Sequence, residues 1–266
     1  MNQQELKEYL DFKSEEFNNA AFIIDDTISI PHLFSKKEDI ESIGLIMATI
    51  SWGQRKTIIK NGHQLVDLMG HSPFDFIMNA SSKDLDSFHF VHRTFNTDDL
   101  RFFILGLRSI YEKSNNGLEE AFNTGKSMGE RIYFFRQAML ETAHDKRSEK
   151  HISNPLSGSA SKRINMYLRW MVRNDNKGVD FGLWKTHSPS FLSCPLDVHS
   201  GNVARKLGIL SRKQNDWKAV IELDSKLRQF DENDPVKYDF ALFGLGVFEK
   251  FKILKPQLKI NFFHLN

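Results

Sequence analysis

Apolar residues recur three and four positions apart along nearly the whole chain, and that period admits helices and little else. Leu6, Tyr9, Leu10 and Phe17 share one face of a first segment. Ile40, Ile43, Met47 and Ile50 share a face behind Ser35-Lys36-Lys37-Glu38, whose spacing is that of a capping box. Leu100, Phe103, Ile104, Leu107, Ile110 and Tyr111 mark a helix, and Phe102 and Leu105 fill its other side, which predicts burial all round. Ile132, Phe135, Met139 and Ala143 mark another, and Trp217, Val220, Ile221, Leu227 and Phe230 a late one. Asp234-Pro235 reads as an N-cap and an N1 proline, opening a helix through about Phe248. No alternating run is bounded by hairpin turn pairs, so extended pieces are expected only near Phe22–Ile24 and Gln257–Phe263. The fold class expected is all-α.

Length and charge narrow the function classes. A chain of 266 residues can bury a sizeable core. Of the aromatic residues 23 are Phe, against 4 Trp and 5 Tyr, so most serve as core filling. Cys194 is the one cysteine, which excludes an internal disulfide framework, a cysteine zinc site and a cysteine-held iron–sulfur cluster. No run is long enough for a membrane span, and Met1-Asn2-Gln3-Gln4-Glu5 lacks signal-peptide character, so a cytoplasmic protein with no membrane partner is expected. A net charge of +2 permits a nucleic-acid partner without demanding one.

Residues 155–213 carry the chemistry. Pro155-Leu156-Ser157-Gly158-Ser159-Ala160-Ser161 is a small-residue turn leading into a helix that begins near Lys162. Ile164, Tyr167, Leu168, Met171 and Val172 form its apolar face, while Lys162, Asn165, Arg169 and Arg173 lie within roughly 80° of arc on the other side. Free N–H groups of the turn and of the helix start suit a phosphate. Further on, Asp197 is placed to cap a helix that Gly208 ends. The positive end of a helix favours a carboxylate there.

A lysine after a glycine turn and an aspartate at a helix start resemble the helix-hairpin-helix DNA glycosylases. Gly158-Ser159-Ala160-Ser161-Lys162 is similar to that family's hairpin, with Ala160 in place of the second glycine. Pro195-Leu196-Asp197-Val198-His199 and Val203-Ala204-Arg205-Lys206-Leu207-Gly208 resemble its aspartate block. Most of the chain also looks like a bacterial branch of that superfamily, through Ser51-Trp52-Gly53-Gln54-Arg55, Leu168-Arg169-Trp170-Met171-Val172-Arg173, Val179-Asp180-Phe181-Gly182-Leu183-Trp184 and Asp234-Pro235-Val236-Lys237-Tyr238-Asp239. The separation of Lys162 from Asp197 leaves an insertion over about 174–194.

The resemblance implies two helical lobes, one over about 38–145 and the other combining 1–37 with 146–266, with the site in the cleft between them. It implies base excision with strand cleavage: Lys162 attacks the sugar C1′ and forms a Schiff base, and Asp197 stabilises the oxocarbenium-like sugar and helps to deprotonate the nucleophile. A lysine amine is nucleophilic only when neutral, which calls for desolvation or neighbouring cations. The damaged base is flipped into a pocket, with Gln54 at the position of a wedge residue that fills the gap. Phosphate or DNA contacts are expected from Gly158, Ser159, Ser161, Arg169, Arg173, His199, Arg205 and Lys206, with Arg212 and Lys213 as further cations. The implied partner is double-stranded DNA carrying a damaged base, an oxidised purine such as 8-oxoguanine, bound by a monomer at the bacterial nucleoid with no cofactor and no metal.

Two other readings belong beside this one. The same fold can serve as an inactive DNA-binding module. His144-Asp145, with His63, His89 and His92, offers the dipeptide of metal-dependent phosphohydrolases. Cys194 is expected to be a small buried hydrophobe, and the tryptophans to be core.

Overall fold

The computed structural model describes residues 1–87 and 89–249. Helices α1 (Gln3–Phe17) and α2 (Ala20–Ile24) open the chain, followed by α3 (Lys37–Ile50), α4 (Arg55–Leu68), α5 (Pro73–Asn79) and α6 (Ser82–Ser87). Next come α7 (Thr97–Lys113), α8 (Leu118–Ala121), α9 (Met128–Leu140) and α10 (Lys162–Val172). Last are α11 (Val198–Lys206), α12 (Trp217–Phe230) and α13 (Tyr238–Val247). Among the described residues there is no strand, only the bridges His92–Phe95 and Ser159–Asp216, so the protein is all-α. No described helix is long and apolar enough to cross a membrane.

Side chains start most of the long helices. Capping boxes pair Asn2 with Glu5, Asn96 with Asp99, Ser127 with Glu130 and Asp197 with Ser200. Several local expectations shift. Lys36, not Ser35, is the N-cap of α3, and no side chain caps it; Glu38 and Asp39 in its first turn still match the helix dipole. Phe22–Ile24 is helical, because the Asn19 side chain accepts from the Ala21 N–H and nucleates α2. Ala143 lies beyond α9 and is exposed, and Ile221 points to solvent. Asp234-Pro235 starts a 3₁₀ turn, Pro235–Lys237, before α13 begins. Gln257–Phe263 falls outside the described residues.

Two hydrophobic clusters form the interior. The first runs from Ile28 to Leu192 and takes in Val236 and Phe240; the second joins Leu6 and Leu10 of α1 to residues from Cys194 to Leu245. Side chains from 28–30 and 152–192 contribute to the first cluster. The cause is α10, which packs on α3: Tyr167 and Met171 lie where a Cβ on Gly44 would meet them at 3.4 Å. Residues 174–194 form a strap over this cluster. Trp184 Nε1 donates to the buried Glu41 at 2.6 Å, and the Phe181 and Trp184 N–H groups satisfy terminal carbonyls of α10.

Helix α13 packs against both α1 and α11. At Gly244 a Cβ would stand 2.1 Å from the Phe17 ring, far inside contact distance. Gly244→Ala is therefore expected to cost about 1–3 kcal/mol of stability, readable as a lowered urea midpoint. An unchanged midpoint would contradict this packing.

Candidate active site

Two helix starts bring the central pair together. Ser161 adopts φ 49° and turns the chain into α10, so Lys162 leads that helix. Asp197 caps α11: its Oδ1 accepts from the His199 N–H at 2.8 Å and the Ser200 N–H at 3.0 Å, leaving Oδ2 directed outward. Lys162 Nζ lies 3.8 Å from that Oδ2, and each side chain is about a quarter exposed, at 25% and 26%. Lys162 Nζ also approaches Met166 Sδ at 3.6 Å.

Both residues line an open cavity of about 770 Å³. Its walls include Phe22, Trp52, Trp170, Phe240 and Phe243, with Arg55, Arg163, Arg169 and Asp239 supplying charge. Trp52 is no simple core residue. Its ring carries the Arg163 guanidinium at 4.9 Å, meets His92 edge-on at 5.1 Å and stacks on His151 at 5.9 Å. Arg163 is anchored in turn to the Thr49 carbonyl. Gly53 beside it has φ +111° with Arg93 packed over it, a conformation that disfavours any side chain. Gln54 is exposed at the N-cap of α4.

Several expected DNA contacts are used inside the protein instead. Arg169 and Arg173 are buried, 3% and 4% exposed, and cannot track a phosphate backbone. Arg169 pairs with Asp180 and Asp239, and Arg173 with Asp175, Asp180 and Asp234, because a guanidinium in the interior needs carboxylate partners. Asn165 is buried too and donates to the Ala160 carbonyl. Arg205 turns inward to the Arg212 carbonyl and to Asn215, whose amide donates to the Asp197 carbonyl; it braces the aspartate turn.

The Gly158 turn does not offer the free amides expected of it. Asn154 accepts from Leu156, Ser157 and Ser159, the Gly158 N–H goes to the Pro155 carbonyl, and that of Ser161 to Ser159 Oγ. Ser161 is itself buried, and the Gly158 carbonyl accepts from Trp217. His199 and Lys206 are exposed, and His199 lines the cavity. Arg212 is held by Asp216.

The histidines do not assemble. His144 Nδ1 bonds the Thr142 carbonyl, and His92 engages Asn61 and the Trp52 carbonyl. Among the described residues no group of three or more His, Cys, Asp or Glu side chains is placed to hold a metal ion. Cys194 is fully buried, and burial pushes its thiol up.

A family profile described as "Protein of unknown function (DUF2400)" matches residues 26–248. The chain belongs to this family. No curated protein and no solved structure matches it. The span that defines this DUF2400 member holds Trp52, Lys162, Asp197 and Asp239, so the charged part of the cavity is built within it.

Below Trp52 in this family member, burial holds the His151 ring neutral, lowering it from 6.5 to about 4 despite Asp99 at 3.2 Å. The unfolded chain takes up a proton there that the folded chain refuses. The contribution of His151 to stability is therefore complete above its unfolded value and lost as pH falls toward about 4. The stability difference between wild type and His151→Gln, followed by denaturant unfolding, should shrink across that window. A difference independent of pH would contradict the assignment.

Proposed function

We propose that the protein is a bifunctional DNA glycosylase and abasic-site lyase acting on duplex DNA with a damaged base, an oxidised purine such as 8-oxoguanine first among them. The observation that carries the reading is the approach of Lys162 Nζ to Asp197 Oδ2 at 3.8 Å in the wall of an aromatic cavity of about 770 Å³. That volume falls in the range of small-ligand sites, about 300–1,000 Å³, and suits one flipped nucleotide. Resemblance to the helix-hairpin-helix glycosylases supplies the substrate class.

In this reading the base stacks against the cavity's aromatic side chains and Asp197 faces the sugar. As the bond from C1′ to the base lengthens, positive charge develops on the sugar and the fixed carboxylate stabilises it. The Lys162 amine attacks C1′, the base departs with the bonding electrons, and opening of the sugar ring gives a Schiff base. Its iminium acidifies the neighbouring C2′ proton, whose removal expels the 3′ phosphate. Gln54, exposed and next in sequence to the lining residues Gly53 and Arg55, takes the wedge role. Arg205 acts here as a brace for the Asp197 turn.

The test is a set of duplexes, each with one defined lesion, 8-oxoguanine included, assayed for free base and for strand scission. Release of one base type with Lys162-dependent scission is expected. Intact strands and no released base across the set would overturn the reading.

A further inference from the structure

Arg163 is the second residue of α10, next to Lys162, and both line the cavity. It differs from the arginines further along that helix. Arg169 and Arg173 are closed in by carboxylates, whereas among the described residues no carboxylate pairs with the half-buried Arg163. Two contacts hold it instead. Its Nη1 donates to the Thr49 carbonyl in the last turn of α3, where the negative end of a helix favours a cation. Its guanidinium also lies 4.9 Å from the Trp52 ring centroid. Burial pulls its ionisation below the usual guanidinium range, with no carboxylate to oppose the shift.

The Nε and Nη2 groups of Arg163 have no acceptor among the described residues, yet neither is sealed in the interior. They are left to the cavity. A guanidinium carries only N–H donors, and donors stripped of water without a partner are costly. A molecule that fills the cavity must therefore bring an acceptor to this fork. The fork is also held in place, by α10 on one side and by the end of α3 and Trp52 on the other.

We infer that Arg163 reads the oxo oxygen that oxidation adds to the flipped base, so that the site selects an 8-oxopurine over the unoxidised purine. The inference rests on the glycosylase reading. Guanine carries C8–H where 8-oxoguanine carries a carbonyl, and its N7 is an acceptor where 8-oxoguanine has N7–H. A side chain that only donates separates the two through the added carbonyl. It bonds that oxygen, and against C8–H it is left unpaired. Leaving a buried polar group of the site without its partner is what rejects the wrong substrate. Because Lys162 and Arg163 are consecutive on α10, the helix sets the offset between the amine that attacks C1′ and the fork that reads the base.

The test uses the whole protein and three duplexes of one sequence. Two carry 8-oxoguanine or guanine on a 2′-fluorinated sugar that resists excision, and the third carries an abasic site. Wild type should bind the 8-oxoguanine duplex about tenfold or more tightly than the guanine duplex, the scale of one charge-assisted hydrogen bond. Arg163→Met should bind the two alike. Its loss in the rate of Lys162 adduct formation on the abasic duplex should be smaller, because that duplex has no base to read. This variant leaves no carboxylate orphaned in the interior and should fold, as its urea midpoint will show. Arg163→Lys keeps the cation without the fork and should lose most of the preference as well. An undiminished preference in Arg163→Met, or in Arg163→Lys if only that variant folds, would overturn the inference. Equal losses of affinity on all three duplexes would make Arg163 a phosphate contact and overturn it too. So would a wild type with no preference, or one that prefers guanine, whose O6 and N7 suit an arginine fork. In each of these cases a Lys162-dependent adduct on the abasic duplex leaves the glycosylase reading standing. No wild-type adduct on that duplex would overturn the glycosylase reading itself and the inference with it.

Discussion

Asp197→Asn should slow single-turnover base release by about 10²–10³-fold, the scale of losing one fixed electrostatic stabiliser of a transition state. The substitution separates chemistry from architecture. Asn caps helices about as well as Asp, so Oδ1 can still accept from the His199 and Ser200 N–H groups that start α11. What disappears is the negative charge opposite Lys162. Thermal midpoint and DNA affinity should stay near wild type while the rate collapses. Asp197→Ala removes the cap as well and should add a stability loss of about 0.5–2 kcal/mol. A rate for Asp197→Asn within a few-fold of wild type would remove the aspartate from the chemistry.

Arg169→Met should destabilise the protein by about 3–5 kcal/mol, a large share of the stability of an ordinary domain. Arg169 stands between Asp180 and Asp239, both buried, and its guanidinium also lies 4.2 Å from the Phe240 ring centroid. Met fills much of the same space and leaves the two carboxylates without that partner in the interior. The loss should appear as a lower denaturant midpoint with an unchanged slope. The cavity floor should loosen with it, because Asp239 and Phe240 both belong to the lining. A loss below about 1 kcal/mol would mean that the arginine is a solvated surface cation, as its place on a polar helix face first suggests.

That contrast marks where the sequence runs out. The spacing of Ile164, Tyr167, Leu168 and Met171 gave the buried side of α10 correctly, and all four are buried. The same spacing marked Lys162, Asn165, Arg169 and Arg173 as one polar face, and only Lys162 reaches the cavity with its charge available. A helical period reports which residues are polar, not whether carboxylates from distant segments cover them. Here Asp175, Asp180, Asp234 and Asp239 do so. Asn154 was equally invisible as the acceptor that consumes the turn amides, because an Asx cap of this kind depends on the local backbone path. Trp52 was legible as an aromatic residue but not as a platform, since Arg163, His92 and His151 reach it from three other parts of the chain. The helix starts at Lys162 and Asp197 were legible, because a turn and a cap are local signals. Their convergence was an expectation drawn from resemblance, and in the structure the two side chains stand 3.8 Å apart.

Borohydride trapping tests most directly whether Lys162 is a nucleophile. Wild-type protein mixed with a duplex bearing an abasic site or the cognate lesion should form a covalent adduct on reduction, and peptide mapping should place it on Lys162. Lys162→Gln keeps a polar side chain of similar reach but has no amine; it should bind the duplex and yield no adduct. An adduct of undiminished yield in Lys162→Gln, or no adduct from a wild-type protein that binds the same duplex, would contradict the account.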